Sequence, residues 1–337
     1  MKAIGYYDRL PISDKQALVE AQLPQPEATG RDVLVKVNAI SVNPVDFKIR
    51  QNVAPADETL KVLGWDAVGE VIACGDAVST FAPGDTVFYA GDLNRQGSNA
   101  QYQLVDERLI AHKPASLSDA EAAALPLTSL TAWELLFEHL EVGKDEDSSP
   151  ATLLITGASG GVGSIMIQLA KLLTNATVIA TASRPQTQAW VKTLGADYVV
   201  DHIQDLVSQI RQAGFEYVTH VASLTHTQDY LDDYVELLKP MGKLGLTDDP
   251  DYLDAMKLKS KSLSLHWEFM FTRSMFTTDD MQQQHHILQQ VAQLIDEKKL
   301  RTTVGQNLGK ISAENLREAH RILESGQSVG KLVLEGF

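Results

Sequence analysis

A glycine-rich stretch in the middle of the chain is the pattern with the clearest chemical meaning. Residues 153–163 read Leu-Leu-Ile-Thr-Gly-Ala-Ser-Gly-Gly-Val-Gly, an apolar strand followed by a turn and the start of a helix. The glycines let the main chain approach a pyrophosphate, and the first turn of the helix offers it unpaired N–H groups. The pattern predicts a dinucleotide site at Gly157, Ser159, Gly160, Gly161, Val162 and Gly163.

The residues after the next predicted strand bear on the choice between NAD and NADP. An acid at that point would bind the ribose 2′-hydroxyl of NAD and repel the 2′-phosphate of NADP. Residues 180–184 read Ala-Thr-Ala-Ser-Arg, without an acid. Ser183 and Arg184 can donate to a phosphate, so we expect NADPH, unless Arg184 is only a solvated residue at a helix start. His202, after the following strand, either contacts the adenosine ribose or is an ordinary surface histidine.

The predicted elements place this turn in an α/β fold. From Thr152 onward, short strands alternate with helices over 162–173 and 185–194, which predicts parallel strands joined by crossover helices. The first part of the chain instead shows short strands, such as 33–37 and 69–73, separated by turns. We therefore expect a Rossmann doubly wound parallel sheet together with a β-rich domain.

The connecting segments are also predicted. Ser118 and Glu121 form a capping box ahead of an alanine-rich helix. Residues 143–150 form a polar loop, and a polar helix over 279–298 is expected to carry His285 and His286 on a solvated face. A helix over 312–325 and a strand over 331–334 follow.

Composition limits the partners. The 337 residues are 44% hydrophobic and carry a formal net charge of −15 without a basic run, which predicts neither a nucleic-acid nor a membrane partner. Cys74 is the only cysteine, so a disulfide framework within the chain and a cysteine-rich zinc site are excluded. The sequence starts without a signal-peptide pattern and has no apolar run long enough to span a bilayer, so we expect a cytoplasmic protein.

Motifs along nearly the full length resemble those of the medium-chain dehydrogenase/reductase superfamily, and most of all its zinc-free quinone oxidoreductase branch. They occur in the family order: Asn43-Pro-Val-Asp46, Gly64-Trp-Asp-Ala-Val-Gly-Glu-Val71, Pro83-Gly-Asp-Thr-Val87, residues 124–133, Gly160–Gly163, Leu194-Gly-Ala-Asp197 and Gly330–Leu334. The resemblance implies a GroES-like catalytic domain over 1–125, a Rossmann NADPH-binding domain over 126–272 and a return to the catalytic domain over 273–337. It also implies a homodimer that pairs the last Rossmann strands, near Leu263–His266.

The resemblance further indicates what replaces the metal site. Zinc-dependent members place a cysteine where this chain has Asn43, and a histidine and a glutamate where it has Trp65 and Asp66. The position of their proton-relay hydroxyl is Val45. Asparagine, tryptophan and valine do not supply the thiolate and imidazole that zinc requires. We therefore expect no zinc and no metal-binding residue.

Three residues of the first domain are candidate catalytic residues. Asn43 would orient substrate and nicotinamide, or only form an Asn-Pro turn. Asp46 would fix the loop or a neighbouring donor such as Arg50, or be purely structural. Trp65 would line the substrate site, or pack in the core.

Two hydroxyl groups are candidate cofactor contacts by the same resemblance. Thr128 matches a cofactor-contacting position in the helix between the domains, and is otherwise a helix-surface hydroxyl. Ser223, just after a Rossmann strand, is expected to border the nicotinamide ribose.

Without a Lewis acid, the reactions that need little activation become the plausible ones. A quinone or an α,β-unsaturated carbonyl already spreads developing charge over conjugated oxygen, so we expect NADPH to reduce a small molecule of this kind. An enoyl-thioester reductase and a non-catalytic NADPH-binding protein are the alternatives.

Overall fold

The computed structural model describes residues 1–56, 59–144 and 150–337. Most of the loop predicted over 143–150 falls on 145–149, outside the described residues. The chain divides into two compact units, the first comprising Met1–Leu130 with Phe271–Phe337 and the second Thr131–Met270. The domain limits expected after residues 125 and 272 lie within a few residues of these divisions.

The secondary structure is mixed. The strands are β1 Lys2–Tyr6, β2 Val19–Gln22, β3 Asp32–Val42, β4 Lys61–Val62, β5 Ala67–Cys74, β6 Thr86–Tyr89, β7 Tyr102–Asp106, β8 Ile110–His112, β9 Thr152–Thr156, β10 Thr177–Thr181, β11 Tyr198–Val200, β12 Val218–Ser223, β13 Leu238–Leu246, β14 Ser264–Trp267, β15 Val304–Asn307 and β16 Lys331–Glu335. The helices are α1 Pro44–Asn52, α2 Asp119–Ala123, α3 Pro126–Trp133, α4 Gly161–Leu173, α5 Pro185–Thr193, α6 Leu206–Gln212, α7 Thr227–Leu237, α8 Thr272–Phe276, α9 Gln283–Asp296 and α10 Ala313–Glu324.

The first unit is organised around β3, a long strand whose apolar side chains are almost all buried. β3 forms antiparallel ladders with β5, β7 and β16 within a seven-stranded sheet. Leu332 pairs with Val42 and Ala67 pairs with Ile40. This register brings together the residues just after Val42, just before Ala67 and at the start of β16.

The second unit contains a parallel six-stranded sheet in the order β11-β10-β9-β12-β13-β14. Numbered within the unit, this order is 3-2-1-4-5-6, the doubly wound Rossmann arrangement. β9 is fully buried at Leu153, Leu154 and Ile155, as a central parallel strand requires. The strand order reverses between β9 and β12, so the crevice beyond their carboxyl ends is the expected ligand position in such a sheet.

One sequence expectation is confirmed and another needs correction. The capping box at Ser118 and Glu121 precedes an alanine-rich helix, α2, which ends at Ala123 before a separate helix, α3, begins at Pro126, because a proline disfavours helical geometry in the residue before it. His285 does not lie on a solvated face. It is 7% exposed, and its Nδ1 lies 2.6 Å from the Ile110 carbonyl oxygen.

Candidate functional site

The glycine turn joins β9 to α4 at the reversal point of the second sheet. Gly157 has a φ of 68°, a left-handed conformation that glycine adopts readily, and the Gly160 N–H donates to the Gly157 carbonyl at 3.1 Å. Gly160 is the N-cap of α4 and has no side chain to cap it. The first N–H groups of a helix have no intrahelical partner. Because Gly157, Ser159, Gly160, Gly161 and Val162 are all partly exposed, this end of α4 can receive an anion.

Gly163 serves the turn in a different way. A Cβ at this position would lie 2.5 Å from both the Cα and the carbonyl oxygen of Ala158. Those are main-chain atoms and cannot rotate away. Gly163 therefore permits the close packing of α4 against the turn and makes its contribution by lacking a side chain.

A group of basic residues borders the ends of β10, β11 and β12. Ser183 is half-buried and Arg184 is exposed, directly after β10. Partial burial lowers the pKa of His202, and the nearby charges of His226 and Arg184 lower it further, while Asp201 opposes them. The structure thus brings Arg184, His202 and His226 near one another. His226 escaped the sequence analysis because only the fold brings it to this edge.

Ser223 lies in a buried network of hydroxyl groups, not on an open surface. Its Oγ lies 2.7 Å from Thr227 Oγ1 and 3.0 Å from the Tyr234 hydroxyl, which in turn lies 2.8 Å from Thr156 Oγ1. The Thr227 hydroxyl donates to Asp248. The Ser223 hydroxyl therefore bonds to interior groups. Its orientation gives no support to the expectation that it borders a ribose.

Asn43 and Asp46 form the N-terminal cap of α1 in the first unit. The Asn43 N–H donates to Asp46 Oδ2 at 2.7 Å, while Asp46 Oδ1 has no hydrogen-bond partner in the part of the chain that is described. Burial raises the pKa of Asp46 to about 7, although the Asn43 N–H and the charge of Lys331 oppose that rise. Both side chains are 1% exposed.

The suggested link between Asp46 and Arg50 is not observed. Arg50 Nη2 lies 2.5 Å from Glu324 Oε1, and its Nε lies 3.4 Å from His320 Nδ1. Its Nη1 donates to the Leu10 carbonyl. Arg50 therefore ties α1 to α10 and to the N-terminal segment, and its partners here do not include Asp46, although the two positions lie one turn apart on α1.

Asn43 also belongs to a buried polar cluster that we define as Asn43, Asp66 and Lys331. Asn43 Nδ2 donates to Asp66 Oδ2 at 2.7 Å, and the Leu127 N–H donates to Asp66 Oδ1 at 2.7 Å. Lys331 Nζ donates to Asp66 Oδ2 at 2.9 Å and to Asn43 Oδ1. Burial raises the pKa of Asp66, and Lys331, the Leu127 N–H and the Asn43 amide each oppose the rise. The sequence analysis missed Lys331, whose strand-like surroundings gave no sign of a partner.

The Trp65 ring is packed in the interior, and the Thr128 hydroxyl is bonded to a main-chain carbonyl. The Trp65 side chain is 1% exposed, its Nε1 donates to the Asp92 carbonyl at 3.2 Å, and its ring meets the Phe271 ring edge-on at a centroid distance of 6.2 Å. Of its two predicted roles, core packing fits this environment. Thr128 is buried and its hydroxyl donates to the Leu125 carbonyl at 3.2 Å, which corrects the alternative of a helix-surface hydroxyl.

Asn43, Trp65 and Asp66, which stand where zinc-dependent members carry metal ligands, do not fit zinc. The Asn43 amide and the Asp66 carboxylate are both bonded to the Lys331 ammonium, and a second cation placed between them would meet that charge directly. The indole of Trp65 offers no donor lone pair. Within residues 1–56, 59–144 and 150–337, no group of three or more His, Cys, Asp or Glu side chains could hold a metal ion. Over the same ranges, no helix is both long enough and apolar enough to cross a membrane.

Two family models match the chain. The alcohol dehydrogenase GroES-like domain matches residues 29–115, and the zinc-binding dehydrogenase model matches residues 194–334. The first match lies in the β-rich first unit, and the second begins within the Rossmann sheet and extends almost to the C-terminus.

Whole-length relatives agree with these matches. A zinc-type alcohol dehydrogenase-like protein of Staphylococcus aureus is 41% identical over 340 residues, which cover 99% of each chain. A solved protein of Rhizobium etli, described as a zinc-dependent alcohol dehydrogenase, is 49% identical with a TM-score of 0.96 and covers 100% of this chain and 98% of its own. The quinone oxidoreductase of Coxiella burnetii is 29% identical with a TM-score of 0.82 over 99% of both chains. The chain belongs to the medium-chain dehydrogenase/reductase superfamily of oxidoreductases, with a GroES-like domain and a Rossmann sheet.

Proposed function

We propose that this protein is a zinc-independent, NADPH-dependent reductase that transfers hydride to a quinone or an α,β-unsaturated carbonyl. The observation that carries the proposal is the glycine turn at the reversal point of the Rossmann sheet, bordered by Arg184, His202 and His226. A pyrophosphate against α4 leaves the adenosine ribose to the ends of the neighbouring strands, where these basic residues lie. The same position in an NAD-specific sheet would carry an acid.

NADPH is favoured over NADH by the charges near β10. Arg184 supplies a permanent positive charge, and Ser183 supplies a hydroxyl next to it. Asp201 is the acid near this group, and its carboxylate accepts from the Ile203 N–H and from the Gln204 side chain, as expected of a turn residue. Ser183 and Arg184 would therefore offer the 2′-phosphate of NADPH a donor and a positive charge, against the opposing charge of Asp201 near His202.

The acceptor class follows from the chemistry of the first unit. A cluster built on Asn43, Asp66 and Lys331 offers hydrogen bonds and a balanced charge, but no Lewis acid to activate a simple alcohol. NADPH, when bound, supplies a hydride from nicotinamide C4. A conjugated acceptor delocalises the negative charge that it then carries, and water supplies the proton that completes the reduction. The similarity to a quinone oxidoreductase supports this class of acceptor.

An acceptor panel run in parallel with NADPH and NADH tests the proposal. We expect loss of the nicotinamide absorbance with 1,4-benzoquinone or an alkenal, with kcat/KM for NADPH above that for NADH by about tenfold or more. Turnover of ethanol or a similar alcohol with stoichiometric zinc, shown by elemental analysis of the active protein, would contradict it.

A non-catalytic NADPH-binding protein is the second candidate. One observation favours it: Asn43, Asp46 and Trp65, the predicted catalytic side chains, are each 1% exposed. Tight NADPH binding in calorimetry without turnover of any acceptor in the panel would select this candidate. An enoyl-thioester reductase would instead respond to acyl-thioesters in the same panel.

The proposal includes a homodimer of this chain. β14 lies at the edge of the six-stranded sheet, and β13 is its only partner among the described strands. Trp267 and Phe269, at and just after this edge, are 54% and 49% exposed. An uncovered strand edge with aromatic neighbours favours pairing with a second chain. Light scattering should give about twice the 36.9 kDa chain mass, and a monomer would contradict this part of the proposal. The net charge of −15 gives no support to a nucleic-acid partner.

A further inference from the structure

Lys331 is a buried lysine with every ammonium hydrogen directed at an oxygen. Its side chain is 3% exposed, and Nζ lies 2.9 Å from Asp66 Oδ2 and 3.2 Å from the Val42 carbonyl oxygen. The third acceptor is Asn43 Oδ1. Buried lysines are rare unless they are paired, because an ammonium loses its hydration when it enters the interior. This one is paired with a carboxylate that is itself fully buried.

The two charges determine how the Asn43 amide is oriented. An ammonium can only donate hydrogen bonds, so it must face the amide oxygen. Asp66 accepts from the Leu127 N–H on one oxygen and from Lys331 and Asn43 on the other, so it acts as a carboxylate and must face the amide nitrogen. The reversed amide would point its NH2 group at the ammonium and its oxygen at the carboxylate. Lys331 and Asp66 together therefore allow a single orientation.

This orientation leaves one hydrogen of the Asn43 amide without an acceptor among the described residues. The Nδ2 group has two hydrogens, and its one partner among the described residues is Asp66. All three hydrogens of Lys331 are in use. The second Nδ2 hydrogen is thus the side-chain donor that this cluster can still offer.

We propose that Lys331 is a positioning residue of the reductase: with Asp66 it holds the Asn43 amide so that its second Nδ2 hydrogen can serve the acceptor as it gains negative charge. The Asp66 carboxylate, 2.9 Å from the ammonium, balances its charge, so Lys331 acts by orienting the amide and adds no net positive charge. The inference rests on the proposed function, because it assumes that an acceptor is reduced near Asn43.

The decisive comparison uses Lys331→Met and the double variant Asp66→Asn/Lys331→Met. Methionine keeps an unbranched side chain that is one atom shorter and removes the charge and the donors, and the double variant removes the partner carboxylate as well. We expect the double variant to fold and to bind NADPH within about twofold of the wild type, because the glycine turn is untouched, while kcat falls about 100-fold. Lys2→Met is the matched control, since Lys2 is a partly exposed lysine of the same unit, paired with Glu20 at 3.4 Å. Its kcat should not change.

A kcat of the double variant within about threefold of the wild type would overturn the proposal. NMR of protein labelled with 15N-asparagine supplies a readout that needs no turnover. The Asn43 Nδ2 protons, assigned with Asn43→Ser, should exchange slowly with solvent in the wild type and markedly faster in the double variant. If they exchange equally fast in both proteins, Lys331 and Asp66 do not hold the amide. Failure of the wild type to turn over any acceptor would count against the proposed function alone, whereas the spectrum tests the orientation.

Discussion

The glycine turn of the second unit and the buried polar cluster of the first unit are built in opposite ways. The turn is a continuous segment, residues 157–163, that presents main-chain N–H groups at a partly exposed helix end. The cluster gathers side chains separated by up to 288 residues along the chain and covers them almost completely. A site made of main-chain groups is sensitive to the steric space at its glycines. A site made of buried side chains is sensitive to the pairing of its charges. Each of the following substitutions tests one side of this contrast.

The largest effect is expected from Asp46→Asn, at the edge of the buried cluster. The pKa of Asp46 rises from 3.8 to about 7 on burial. Because the folded pKa lies above the unfolded one, the unfolded chain loses its proton first as pH rises, and the native state is progressively destabilised from about pH 4 until the loss is complete above about pH 7. At about 1.4 kcal/mol per pH unit, this amounts to about 4 kcal/mol. The variant should lack this loss, so in chemical denaturation it should match the wild type near pH 4 and exceed it near pH 8.

Asp205→Asn is the control for that measurement. Ser208 hydrogen bonds hold the pKa of Asp205, an exposed helix cap, below its usual range. Its contribution to stability is present above the unfolded pKa and disappears on acidification, the opposite sense. The wild-type decline between about pH 4 and pH 7 should persist in this variant. An equal decline in Asp46→Asn would show that the Asp46 carboxyl is not the group responsible.

Gly163→Ala tests the main-chain side of the contrast. The new Cβ would lie 2.5 Å from main-chain atoms of Ala158, so α4 must move away from the turn. We expect a loss of about 3 kcal/mol in stability, the upper end of overpacking effects, and a weaker Kd for NADPH in calorimetry. Gly160→Ala meets only the Gly157 carbonyl oxygen, at 3.3 Å, and should cost less stability. Equal losses of stability in the two variants would refute the importance of close helix packing.

Arg184→Ala sharpens the cofactor assignment without disturbing the turn. Loss of charge-assisted hydrogen bonds to the 2′-phosphate should weaken NADPH binding by about 2 kcal/mol, or about 30-fold, and leave NADH binding unchanged. The ratio of the two Kd values is the measurement. Lys192→Ala removes an exposed cation from the same helix and should leave the ratio as it is. An equal loss of affinity for NADPH and NADH in Arg184→Ala would mean that Arg184 does not bind the 2′-phosphate.

The smallest effect is expected from Tyr234→Phe, beneath the turn. The substitution removes the hydroxyl that lies 2.8 Å from Thr156 and 3.0 Å from Ser223 and leaves the ring in place. A single buried hydrogen-bonding group is worth about 1 kcal/mol, so the thermal midpoint should fall slightly while NADPH affinity changes little. Tyr230→Phe, whose hydroxyl lies 3.4 Å from the His202 carbonyl, should change less. A large loss of NADPH affinity in Tyr234→Phe would mean that the turn depends on side chains below it.

Local patterns identified the Rossmann half of the protein. The strand at 153–155, the glycines and the following helix are neighbours in sequence, so their mutual geometry is set by local main-chain preferences. The same holds for the capping box, in which Ser118 Oγ accepts from the Glu121 N–H at 3.3 Å. The directions of side chains were harder to predict from the sequence. The hydroxyls of Thr128 and Ser223 point to interior partners that no local pattern specifies.

The sequence by itself determined the alternation of strands and helices in the second unit, the glycine turn and the absence of a second cysteine, because these depend on composition and on contacts between near neighbours. Only the tertiary structure decided that Lys331 meets Asp66 and Asn43. Their meeting depends on the register of β16 and β5 on either side of β3, with Leu332 opposite Val42 and Ala67 opposite Ile40. A shift of one residue in either ladder would turn the side chains to the other face and leave a buried charge without its partner.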